Sequence, residues 1–259
     1  MTDPRSLARA YPEQQRLLGG DTIVREETAL ASPPSAAPVA PAPPPAAART
    51  AAPLPPPGAV FDPPVSSDLF TADPLRDAAS LEAVARLVAG CTKCRLCESR
   101  TRTVPGEGPA DARLVVVGEG PGRTEDATGR PFVGQAGELL TKILAAIDLP
   151  REQVYICNVV KCRPPENRVP QFDEVAACVP YLFRQIELVR PKVILAMGGT
   201  AAQTMVNSKQ SLGAMRNHVH RFRGIPVIVT YHPAALLRNP NWKKPTWDDI
   251  RIARRLLDD

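Results

Sequence analysis

The chain has 259 residues, with 32 Lys and Arg against 27 Asp and Glu, for a formal net charge of +5. That length allows one large domain or two small ones, and the mild positive excess permits an anionic partner without demanding one. No apolar run approaches the length of a bilayer span, and no signal-peptide-like stretch follows Met1–Arg5. A membrane-spanning helix is not expected, and a cytoplasmic chain is the expectation.

In chain order, Ser6–Leu18 shows some helical periodicity and stops at Gly19-Gly20. A dense share of the 30 prolines then falls between Pro33 and Pro64, among Ala and Ser. Such a stretch has too few large apolar side chains to offset its chain entropy. Residues 1–74 are thus expected to be a disordered N-terminal tail with a Pro/Ala-rich linker, and residues 75–259 a folded domain.

Leu81–Val88 repeats apolar residues at helical spacing and ends at Gly90, just before Cys91. Four β-branched runs follow, Arg113–Gly118, Val154–Val160, Lys192–Gly198 and Pro226–Thr230, with amphipathic helices predicted at Ala136–Ile147 and Phe172–Val189. Gly198-Gly199-Thr200 opens another helix, Arg216–Arg223 reads as a hairpin-like excursion, and Trp247–Leu257 closes the chain as a helix. This rhythm predicts an α/β fold: a three-layer αβα sandwich around a central, mainly parallel four-stranded sheet.

Ligands of open α/β sheets bind at the carboxyl ends of the strands. Here those ends carry Glu119-Gly120-Pro121-Gly122, Asn158, Gly198-Gly199 and Tyr231-His232-Pro233. The glycine turn lets backbone approach a ligand closely. It differs from the dinucleotide fingerprint because a polar loop, Arg123–Gly134, is expected before the next helix; Phe132 within it reads as a pocket wall. Asn158 offers a donor and an acceptor side by side, which suits the edge of a planar base, although a strand-end Asn satisfied within the fold has the same signature. His232 could stabilise a departing anion, and Pro233 restricts how it projects.

Six cysteines are present, and Cys91-x2-Cys94 with Cys162-x15-Cys178 brackets the first βα unit. In a reducing compartment such thiols are more often metal ligands than disulfides. Cys91-x2-Cys94-x2-Cys97 supplying three ligands to a ferredoxin-like cluster, and four cysteines holding zinc, both fit the spacing.

As a set, Cys91-x2-Cys94, Gly118-Glu-Gly-Pro-Gly122, Gly129-Arg-Pro-Phe-Val-Gly134, Asn158-Val-Val-Lys-Cys162-Arg-Pro-Pro165, Cys178 and His232-Pro-Ala-Ala-Leu-Leu237 resemble the family 4 uracil-DNA glycosylases, the iron–sulfur branch of their superfamily. The resemblance covers residues 91–258. It implies a 4Fe–4S cluster on Cys91, Cys94, Cys162 and Cys178, leaving Cys97 and Cys157 surplus. It implies hydrolysis of the N-glycosidic bond of uracil in DNA, leaving an abasic site. Phe132 would stack on the flipped base, Asn158 would read its polar edge, and His232 would bind the oxygen that gains negative charge. Gly120 and Gly122 would line the pocket. They stand where better-known superfamily members carry a water-activating aspartate and a thymine-blocking tyrosine. Glu119 and Glu125 are the candidates to position water. Leu236 would be the wedge into the base stack, with Arg238 and the helix start at Gly199 on phosphates.

Two other readings compete with turnover: a non-catalytic or crosslinking iron–sulfur protein that binds uracil-DNA, and an enzyme of free nucleosides. The crosslinking relative carries a histidine-containing insertion after the second strand, whereas this chain has Arg163–Pro170 without histidine. A wedge would be superfluous on a free nucleoside. A monomer is expected. In the tail, Ser66–Phe70 ends in Asp-Leu-Phe and resembles the short peptides that bacterial repair proteins insert into the sliding clamp.

Overall fold

The computed structural model describes residues 73–258. Five strands, Leu114–Gly118 (β1), Tyr155–Asn158 (β2), Val193–Met197 (β3), Val219–Phe222 (β4) and Ile225–Thr230 (β5), make one sheet in the order β2-β1-β3-β5-β4. β1 pairs in parallel with β2 and β3, and β3 with β5; only β4 runs antiparallel, against β5. β1, β2 and β3 are buried along their whole length. That explains why they read as unbroken apolar runs rather than alternating ones.

The helices are Leu81–Ala89 (α1), Leu96–Ser99 (α2), Arg123–Thr128 (α3), Gln135–Ala145 (α4), Phe172–Val189 (α5), Gly199–Val206 (α6), Leu212–Met215 (α7), Pro233–Arg238 (α8) and Lys243–Asp258 (α9). Alternate strand residues face opposite layers. Val115, Val117, Ile194, Ala196 and Val229 pack with α1, α5 and α6. Leu114, Val116, Leu195, Met197 and Ile228 pack with α4, α8 and α9. The three-layer α/β architecture expected from the sequence is present.

Three details depart from expectation. The sheet has five strands rather than four, because the excursion after α7 forms the edge strand β4. Its residues Val-His-Arg-Phe alternate between exposed and half-buried, and carry too little apolar signal to be read as a strand. The stretch Arg123–Gly134 is not all loop: α3 starts directly after Gly122 and ends at Gly129, whose φ is 77°. Glu125 and Asp126 favour its first turn, but six residues without apolar periodicity give no helical pattern. β2 stops at Asn158 instead of Val160. The next two amides still donate back to the end of β1, Val159 to Gly118 O and Val160 to Glu119 O.

The chain passes from β1 to β2 on one side and then crosses back to β3 on the other, so the strand order reverses at the crevice between the carboxyl ends of β1 and β3. Among the described residues, no helix is long and apolar enough to cross a membrane. Ser6–Leu18, the Pro/Ala-rich linker and Ser66–Phe70 lie outside the described residues.

Candidate active site and cysteine cavity

Asn158 ends β2 and is 1% exposed, and among the described residues its buried Oδ1 has no hydrogen-bond partner. Leaving such an acceptor unmet costs about 1–3 kcal/mol, which marks a place where a ligand can supply the donor. Gly118, its register partner on β1, makes room for it. A Cβ at Gly118 would overlap Asn158 Oδ1 and come within 2.5 Å of Phe132 Cζ. The carboxamide, the bare glycine and the Phe132 ring therefore form one small cradle.

Phe132 is buried and sits at φ 50°, a left-handed conformation that bulky residues rarely adopt. The loop is held from both sides. Glu125 Oε1 accepts from the amides of Val133 and Gly134, each at 2.9 Å. Arg151 forks onto the carbonyls of Phe132 (2.8 Å) and Pro131 (2.5 Å). Strain secured by four hydrogen bonds gives a pre-set platform.

The Phe132 ring also meets His232, with ring centroids 5.4 Å apart and planes 29° from parallel. His232 caps α8, its Nδ1 accepting from Ala234 N at 3.2 Å, so the remaining proton sits on Nε2. Burial, with Arg238 adding to it and Glu125 opposing, pulls the imidazole down to about 4. The ring is neutral at physiological pH and can donate only from Nε2.

The segment before it is anchored deeply. Asp249, fully buried on α9, accepts from Arg216 Nε and Thr230 Oγ1, both at 2.7 Å. Arg216 lies over the Tyr231 ring at 4.4 Å, and Tyr231 stacks on Trp242 at 4.7 Å.

The carboxylates play distinct parts. Glu119 accepts from Thr200 Oγ1 at 2.5 Å, bridging the crevice from β1 to α6. The Oε2 of Glu125 points at Gly122, where a Cβ would come within 2.7 Å of it. Gly120 lies against the Val160 side chain. Gly199 is the first residue of α6, following Gly198 at φ 93° beside the His232 Cβ.

The wedge expectation needs correcting. Leu236 is 1% exposed, packed with the α4 and α9 side chains, because α8 turns that face of the helix inward. Leu237 is the exposed neighbour, at 47%, and Arg238 beside it is also exposed.

On the other face of the sheet, Cys91, Cys94, Cys97, Cys162 and Cys178 line one partly open cavity with Lys93, Arg100 and Lys161. The expected surplus Cys97 is thus among the lining residues, whereas Cys157 is buried within β2. Arg100 Nη1 donates to Cys162 Sγ at 3.2 Å and to Cys91 O at 2.8 Å, and Lys161 N donates to Cys178 Sγ at 3.2 Å. Burial raises the Cys94 and Cys162 thiols and pushes Cys178 up to about 12. Among the described residues, no three His, Cys, Asp or Glu side chains are gathered tightly enough to hold a single metal ion. Sulfur donors spread around a cavity, with cations and amides aimed at them, fit a larger thiolate-bound group.

Arg151, Lys161, Arg100 and the Arg216–Asp249 pair were not singled out by the sequence. Their roles depend on partners 17 or more residues away, or on backbone carbonyls that no spacing encodes.

The model of the uracil DNA glycosylase superfamily matches residues 105–251. A type-4 uracil-DNA glycosylase of Thermotoga maritima is 52% identical over 181 residues, covering 68% of this chain and 94% of that protein. One from Sulfurisphaera tokodaii is 46% identical over 186 residues, covering 68% and 84%. A type-5 uracil-DNA glycosylase of Pyrobaculum aerophilum is 34% identical over 176 residues, covering 61% and 76%. With the cradle, the imidazole, Cys162 and Cys178 inside residues 105–251, and relatives of 46–52% identity covered over most of their length, this chain belongs to the uracil-DNA glycosylase superfamily, in its type-4 branch.

Proposed function

We propose that the chain is a DNA-repair hydrolase that cleaves the bond between uracil and deoxyribose in DNA and leaves an abasic site. The unpartnered Asn158 Oδ1 at the bottom of the Gly118–Phe132 cradle carries this reading. Uracil presents an N3–H donor there, whereas cytosine presents a bare acceptor at the same position. The oxygen that has no partner among the described residues therefore favours one base over the other.

The target nucleotide leaves the duplex, since its glycosidic bond is out of reach in the stack. Phe132 supports the flipped base. As the C1′–N1 bond breaks, the electron pair leaves with uracil and charge builds on its O2, where the neutral His232 donates from Nε2. This contact strengthens toward the transition state, so it lowers the barrier rather than merely binding substrate. Water adds to C1′ and its proton ends on the departing base. Glu125, with Oε1 committed to the loop and Oε2 directed toward Gly122, orients that water; Glu119 shapes the floor through Thr200. Leu237 takes the exposed wedge position, with Arg238 and the α6 start at Gly199 on phosphates.

Cys91, Cys94, Cys162 and Cys178 would hold a 4Fe–4S cluster, which supplies a covalent staple between the end of α1, the turn after β2, and α5. The segment Arg163–Pro170 contains no histidine and is pinned by Arg168 on the buried Glu174 (2.6 Å), which suits turnover over crosslinking. The chain acts as a cytoplasmic monomer, and Ser66–Phe70 serves as a tether to the sliding clamp.

Incubation with a uracil-containing oligonucleotide followed by alkaline cleavage tests the reading. A strand break at uracil is the expected result. Tight binding without a break would make the chain a uracil-DNA binding protein instead.

A further inference from the structure

Lys161 is 1% exposed, and among the described residues it forms no ion pair with a carboxylate. A buried ammonium is costly unless its protons and charge are met. Its Nζ donates to Asn158 O and to Gln185 Oε1, each at 2.7 Å, and Gln185 Nε2 in turn donates to Pro105 O at 2.7 Å. Its own amide donates to Cys178 Sγ at 3.2 Å, and its carbonyl accepts from Val104 N at 2.8 Å. The residue also lines the cysteine cavity. One side chain thus joins the cavity wall to the carbonyl of the residue whose carboxamide is left open for a base. An apolar side chain would fill the same volume without making either bond.

We propose that Lys161 is a positioning residue that fixes Asn158 against the cysteine cavity, so that the cavity's contents set the geometry with which uracil is read. Cys91, Cys94, Cys162 and Cys178 would hold the cluster as thiolates, and their net negative charge would offset the ammonium. Lys161 in turn holds the end of β2 in register under the base. The proposal rests on the glycosylase reading and adds to it a mechanical link between the two sites.

The test is a double-mutant cycle on the full-length, cluster-loaded protein with Lys161→Met, Asn158→Ala and the double variant. Iron content, cluster reduction potential and single-turnover excision are followed. Lys161→Met is expected to keep its iron and to move the potential to more negative values, since a nearby positive charge is gone. It should slow excision about ten- to hundredfold, the usual worth of a hydrogen bond to a charged group. On the Asn158→Ala background it should cost nothing further, because its effect passes through Asn158. Losses that multiply, wild-type excision by Lys161→Met, or an unmoved potential each overturn the proposal. If Lys161→Met fails to load iron, Gln185→Leu takes its place, and an additive loss there overturns it equally. Wild-type protein that leaves uracil in DNA refutes the glycosylase reading instead. The cycle is then run on binding of the uracil oligonucleotide, where the same non-additivity is required.

Discussion

At the scale of single residues, the site sets binding against stability. Asn158→Leu removes a buried acceptor that has no partner among the described residues. It should raise the thermal midpoint by the equivalent of about 1 kcal/mol while slowing uracil excision at least a hundredfold. Calorimetry beside single-turnover kinetics checks both signs, and a variant that loses stability and activity together would make Asn158 a structural residue. His232 gives a pH signature. Its imidazole is held near 4, against about 6.5 in an unfolded chain. Between those values the unfolded chain binds the extra proton, so stability falls as pH drops from 6.5 toward 4. Excision should be level from about pH 5 to 8 and decline only near 4. His232→Ala should lower the rate about a hundredfold across that plateau, leaving DNA affinity nearly intact.

At the scale of elements, α8 separates two adjacent leucines by turning one inward. Leu236→Ala should cost about 2–4 kcal/mol of stability, as deletion of a buried leucine usually does. Leu237→Ala should leave the melting temperature unchanged and slow excision from duplex DNA more than from single strands, because a wedge matters only where bases are stacked. Equal slowing on both substrates would remove Leu237 from base flipping. The contrast also shows what the sequence could convey. Position four after the histidine identified the right helix, but which of two neighbouring leucines faces solvent follows from how α8 docks on α4 and α9. The strands β1, β3 and β5 and the helices α1, α4 and α5 were legible because burial on both faces or on one stripe leaves a periodic trace. β4 and α3 were not, since four edge residues that are only exposed or half-buried, and six helical ones without apolar periodicity, leave none. Arg151 and Glu125 show the same limit in the site, as both act on main-chain atoms of the Phe132 loop.

For the molecule as a whole, the cysteine cavity lies under one helical layer and the base cradle at the strand tips, with β2 between them. Cys178→Ser should yield protein with little iron and weak visible absorbance. Its melting temperature should fall by roughly 5 °C or more, since a group bound only by the folded chain contributes directly to folding. Stoichiometric zinc in anaerobically purified wild type would replace the iron reading. The cavity was legible as a cysteine pattern, but its arginine and lysine lining was not. Arg100 comes from the segment after α2 and Lys161 from the turn after β2, and only the fold brings them to one cavity, the first onto Cys162 Sγ and the second onto Cys178 Sγ.

Gly118 carries a consequence for inheritance. Every glycine codon begins with two guanines, which face two cytosines on the complementary strand. A cytosine deaminated there and left uncorrected rewrites the codon to serine, arginine, aspartate or glutamate. Each of these adds the Cβ that would overlap Asn158 Oδ1 and crowd the Phe132 ring. On the function proposed for this chain, the lesion it removes elsewhere in the genome would, at this one codon, close the pocket that removes it.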